Sequence, residues 1–302
     1  MPAHILIALL LLAVTIAGCG SDAGDGRPRV VVTTTILGDL VTAIAGDDAA
    51  VTVLVPRGAD PHDFSPSAQQ MTRIGEADLV VLNGLGLEEG LEAAIAETAD
   101  PEAVVLAIAA LVDPIPFAEH DGGETVDLDP HVWLDPVRMA AAAELVGAAL
   151  EQLDPDGGYD ERAAQYAAEL MQANDAVEEL LAAVPTERRL LVTNHESMNY
   201  FAARYGFRIV GVVIPGGSTL AEPSSAELAA LVATIQTERV TAIFAETTHP
   251  TDLAAAIAAE AGTEVVVVEL FTESLGDPGS AAATLVGMLV ENARRIAAAL
   301  GG

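Results

Sequence analysis

Beyond residue 28 the chain alternates between short apolar runs rich in Val and Ile and longer stretches in which Ala, Leu and Glu recur at helical spacing. That alternation is the signature of parallel strands joined by crossover helices. It predicts strands at 30–34, 51–55, 79–82 and 103–107 in the first half, and at 190–193, 208–213, 242–245 and 264–268 in the second. Between the two sets, residues 159–184 contain no Gly or Pro and read as a single long helix that Pro185 closes. The expected architecture is α/β: an N-terminal lobe at 29–155, a connecting helix region at 156–186 and a C-terminal lobe at 187–302. Each lobe is a parallel sheet flanked by helices, and the connector is rigid.

The first residues follow another pattern. Residues 5–17 are unbroken apolar sequence, too short to span a bilayer as a stable helix and of the right length for a signal-peptide core. The run ends in Ile16-Ala17-Gly18-Cys19, which resembles a bacterial lipoprotein cleavage box. Residues 1–18 are thus expected to be a signal peptide, although no Lys or Arg precedes the run. Cys19 would be the lipidated N-terminus, and residues 19–28 a flexible tether placing the protein outside the cytoplasm on a membrane anchor.

Composition narrows the function by exclusion. Cys19 is the only cysteine, so internal disulfides, Cys₄ zinc knots and iron–sulfur clusters are ruled out. The chain has no lysine and a formal charge of −32, which argues against nucleic acid as a partner.

The candidate chemistry lies in six histidines, two of which sit in identical tripeptides, Asp60-Pro61-His62 and Asp129-Pro130-His131. His62 follows a predicted strand and precedes Ser65-Pro66, read as an N-cap and first helical residue. His131 precedes Asp135-Pro136, the same helix-start chemistry, and His195 directly follows strand 190–193. All three therefore fall between strand ends and helix starts, where open parallel sheets place their ligand crevice. Three neutral imidazoles leave one position of a tetrahedral zinc site for a carboxylate. Glu273, beyond the last strand, is the first candidate; Glu246 and His249, at another strand end, are alternative ligands or hydrogen-bond partners of an imidazole. The polar loop 113–127 carries one more histidine, His120.

These residues fall in ordered blocks that resemble the metal-binding substrate-binding lipoproteins of bacterial ABC importers, the class that captures zinc or manganese. The blocks include Asn83-Gly84-Leu85-Gly86-Leu87-Glu88, Asp129 to Pro136, Thr193-Asn194-His195, Phe244-Ala245-Glu246 and Thr272-Glu273-Ser274. The resemblance implies two lobes bridged by one helix, with His62, His131, His195 and the acid of the Thr-acid-Ser segment as ligands. That acid is usually Asp in the family and is Glu273 here. It further implies a monomer that delivers Zn²⁺ to a membrane permease with its ATPase. Mn²⁺ or Fe²⁺ is the alternative cargo, since His₃-carboxylate suits zinc better than manganese.

Two rivals remain. A zinc hydrolase is disfavoured because His195-Glu196 is followed by Asn199 where a zincin needs its second His, and no G-x-S-x-G element is present. A metal-stapled surface adhesin on the same scaffold would carry the same residues.

Overall fold

The computed structural model describes residues 26–117, 127–262 and 264–301. The predicted leader, Cys19 and His120 lie outside the described residues. In chain order the elements are β1 (Arg29–Val32), α1 (Thr35–Ala45), β2 (Ala50–Val53), α2 (Ala68–Gly75), β3 (Leu79–Leu82), α3 (Glu89–Thr98) and β4 (Val104–Ala107). Then come α4 (Pro136–Leu153), α5 (Tyr159–Leu181), β5 (Leu190–Thr193), α6 (Asn199–Tyr205) and β6 (Arg208–Val212). The chain closes with α7 (Ser225–Glu238), β7 (Ala242–Glu246), α8 (Asp252–Ala261), β8 (Val266–Leu270) and α9 (Leu285–Leu300).

The strands form two four-stranded parallel sheets of the same topology, β2-β1-β3-β4 and β6-β5-β7-β8. Helices cover both faces, so the central strands read as continuous apolar runs such as Leu79-Val80-Val81-Leu82, buried throughout. In each sheet the strand order reverses between the first and third strands. Crevices at the carboxyl ends of such switch points are where open α/β sheets bind ligands.

Side-chain caps set several helix starts. Asp135 accepts from Val137 N–H with Pro136 at the first position, as the sequence predicts. The helix after His62 begins later than expected. Ser67, not Ser65, caps α2, because Gln70 stands three residues on and closes a capping box that Ala68 could not offer Ser65. Strand β8 lies two residues beyond the expected 264–268, and its pairing of Ala242 with Val266 through Glu246 with Leu270 sets that register.

The long helix α5 has 23 residues, or about 35 Å at helical rise. It packs on α1 and α4 from the first half and on α9 from the end of the chain. Asp39 of α1 ties the three together: it accepts from Tyr166 Oη of α5 at 2.7 Å and from Leu285 N at the start of α9 at 2.9 Å. One continuous core accordingly runs from Val30 and Leu79 through Tyr166 and Leu170 to Phe244, Leu270 and Ile296. Two smaller cores lie on the outer faces, under α2 and α3 and under α7 and α8.

Candidate metal centre

Loops at the carboxyl ends of both sheets converge on one buried point. His62 comes from the β2–α2 loop, His131 from the β4–α4 loop, His195 from the β5–α6 loop and Glu273 from the β8–α9 loop. One nitrogen or oxygen from each of the four lies within 4.8 Å of the others, and all four residues are buried. Glu273 Oε1 is 3.7 Å from both His131 Nε2 and His195 Nε2, while Oε2 is 3.9 Å from His62 Nε2. The two imidazole Nε2 atoms of His131 and His195 face each other at 3.1 Å.

The repeated Asp-Pro-His tripeptide has a local explanation. In each copy the Asp side chain accepts the backbone N–H of the His two residues on, at 2.9 Å, and so closes an Asx turn. The copies then diverge. Asp129 Oδ1 also meets His131 Nδ1 at 2.7 Å, whereas Asp60 turns its other oxygen toward Thr219 and His249. Glu246, the last residue of β7, stands 2.6 Å from His195 Nδ1, close in distance though off the line of a good hydrogen bond. Glu246 itself accepts from Asn194 Nδ2 at 3.2 Å and Ser197 Oγ at 3.3 Å. A carboxylate at Nδ1 favours the tautomer that carries its proton there, leaving Nε2 as a lone pair. With the protons on Nδ1, the Nε2 atoms of His131 and His195 would face each other as two lone pairs, an arrangement that a cation between them would relieve.

Burial, chiefly, and the neighbouring imidazoles push His62 down to about 3; burial likewise lowers His131, against the pull of Asp129. Burial raises Glu273 well above the carboxylate range, and Glu246 adds to the effect. Among the described residues, neither oxygen of Glu273, nor His62 Nε2, has a hydrogen-bond partner. Buried polar atoms without partners cost on the order of 1–3 kcal/mol each, so a concentration of them around one point suits a bound cation.

The loop that carries Glu273 is covalently part of the second half but is held by the first. Trp133 Nε1 donates to Thr272 O at 2.6 Å, Gly58 N to Ser274 Oγ at 2.8 Å, and Leu275 N to Thr35 Oγ1 at 3.1 Å. Glu88 does similar work beneath His131. It accepts from Thr33 Oγ1 and Asn83 N, and Asn83 Nδ2 in turn holds Pro130 O at 2.9 Å. Burial raises this carboxyl to about 7.

Of the sequence-predicted residues, the four first candidates come together, Glu246 faces an imidazole, and His249 lies outside the cluster. The supporting roles of Glu88, Trp133 and Ser274 were not apparent from the sequence, because Thr33, Thr272 and Gly58, to which they bond, lie 55, 139 and 216 residues away along the chain. The duplicated Asp was the one available signal for Asp60 and Asp129.

With this geometry in view, the family described as zinc-uptake complex component A, periplasmic, matches residues 30–299. The chain belongs to this family. It is 33% identical over 289 residues to the zinc-binding protein TroA of Treponema pallidum, covering 94% of this chain and 92% of that one. It is 30% identical over 292 residues to the manganese-binding lipoprotein MntA of Halalkalibacterium halodurans, with 94% of both chains covered. The solved structure of Treponema pallidum TroA superposes with a TM-score of 0.82 over 91% of this chain and 99% of its own, at 31% identity. The two sheets with a metal-site candidate between them are therefore a TroA-like fold. The family is a metal-binding component of transport.

Proposed function

We propose that this protein captures Zn²⁺ outside the cytoplasm and delivers it to the permease and ATPase of an ABC importer, as a monomer held to the membrane through Cys19. His62, His131, His195 and Glu273 are the four ligands. The observation that carries this reading is the buried meeting of three imidazoles and a carboxylate, with the Nε2 atoms of His131 and His195 3.1 Å apart and Glu273 without a hydrogen-bond partner among the described residues. A tetrahedral ion bound at about 2.0–2.1 Å has ligand-to-ligand edges of about 3.3 Å. The separations of 3.1 Å between His131 and His195 and of 3.7–3.9 Å from the Glu273 carboxylate to the three imidazoles lie near that edge. Four protein ligands fill a tetrahedron and leave no position for an activated water, which suits carriage rather than hydrolysis. Imidazole-rich donors favour zinc; the relative named as manganese-binding keeps Mn²⁺ as the second reading.

Competition calorimetry with Zn²⁺ and Mn²⁺ on the purified protein tests this. We expect one site, with zinc the tighter. Preference for manganese would overturn the zinc assignment, and binding of neither metal would overturn the whole reading.

A further inference from the structure

The two Asp-Pro-His aspartates each receive donors from across the cleft, but at different depths. Asp129 is sealed at 0% exposure, held by Asn199 Nδ2 at 3.0 Å and, through its carbonyl, by Tyr200 Oη at 2.6 Å. Asp60 lies nearer solvent, with its side chain 10% exposed and its partner His249 25% exposed. Asp60 Oδ2 takes Thr219 Oγ1 at 2.5 Å, and His249 Nε2 lies 3.0 Å from the same oxygen, within ion-pair distance though off the line of a good hydrogen bond. Thr219 belongs to the segment after β6 that is stitched to the His195 loop through Glu196 N and Gly216 O at 3.1 Å. Close by, Phe117 packs so tightly on Gly217 that an added Cβ would lie 2.2 Å from its ring.

We propose that Thr219 and His249 form a clasp on Asp60 that sets the rate at which metal enters and leaves the cleft. This rests on the metal-capture reading above. Separating the two halves at the solvent-facing edge must break both contacts to Asp60, whereas the Asp129 side is deeper and closed by α6. Neither contact passes through the four-residue cluster, so the clasp closes the cleft equally with and without cargo. A device of that kind changes both exchange rates and leaves the equilibrium affinity nearly unmoved. A residue that merely supported His62 would change affinity through release alone.

Stopped-flow exchange of Zn²⁺ against a fluorescent chelator, combined with hydrogen exchange of the metal-free protein, decides the matter. In a Thr219→Val/His249→Gln variant, uptake and release should both accelerate by roughly tenfold, the scale of one charge-assisted hydrogen bond. Affinity should stay within about threefold, and peptides covering 214–220 should exchange faster without metal. Thr219→Ser should restore most of the wild-type behaviour in the single-site background. Unchanged rates, or weaker affinity with unchanged uptake, would overturn the clasp, as would unchanged amide protection. If the wild type bound no metal, the capture reading would fall, while the metal-free amide exchange would still decide whether the contact closes the cleft.

Discussion

Glu273 concentrates the chemistry of the site. Three histidines taken alone predict that acid pH weakens metal binding by protonating imidazoles. The folded protein relocates that sensitivity. His62 is held at about 3 and His131 is lowered, so imidazole protonation is shifted toward more acid pH, whereas burial raises Glu273 well above the ordinary carboxylate range and favours its protonated form. A metal that takes Glu273 as a ligand competes with a proton for it. We therefore expect zinc binding to release protons, and affinity to fall as pH drops below the raised Glu273 value. Calorimetry in buffers of different ionisation enthalpy measures the release. Glu273→Gln should reduce it and weaken zinc by roughly 100-fold or more, beyond the range typical of residues that only orient a ligand; an unchanged proton count would refute the assignment. In the metal-free protein the two groups act in opposite directions. The stability linked to Glu273 is present below its ordinary value of 4.5 and lost as pH rises through its raised one. That linked to His62 is present above 6.5 and lost as pH falls toward about 3.

Among the elements, the helices that join the halves leave little slack. Gly147 of α4 faces Ala163 of α5 so closely that a Cβ there would sit 2.5 Å from the Ala163 Cβ. Replacing a mid-helix glycine with a better helix former gains at most about 1 kcal/mol, whereas overpacking a tight contact costs about 1–3 kcal/mol. Gly147→Val, β-branched and larger, should therefore lower the urea unfolding free energy by about 1–3 kcal/mol while leaving zinc affinity unchanged; full stability would mean that the helices can part. The glycine itself is visible in the sequence, but the contact is not. The same division holds throughout. Strands β3 and β5 coincide with their expected spans because Leu79-Val80-Val81-Leu82 and Leu190-Leu191-Val192-Thr193 have polar or charged neighbours that end them. At β8 the apolar run Val265–Val268 has no internal marker, and pairing to β7 carries the strand on through Glu269. The imidazoles were legible because a repeated tripeptide with a proline is a local pattern. The bonds from Trp133 to Thr272 and from Thr219 to Asp60 span 139 and 159 residues, and only the fold brings them together.

For the whole molecule, the decisive feature is that the four proposed ligands come from both halves while one core runs through α5 between them. The cluster cannot exist in the unfolded chain, so a metal held by these four residues would favour the native state and stabilise it by mass action. Free zinc at about a thousand times its dissociation constant should add about 4 kcal/mol. For a protein of this size that corresponds to a rise in melting temperature of about 7 °C, reversed by a chelator. The continuous core further predicts that the rise appears in one cooperative transition, since the halves share α5 and α9 and cannot melt separately without exposing it. Scanning calorimetry at several zinc concentrations reads both properties at once. Two transitions, of which zinc moves only one, would mean that the halves unfold independently and that the metal belongs to one of them. A single transition that zinc leaves in place would mean that the four residues do not act together on a metal.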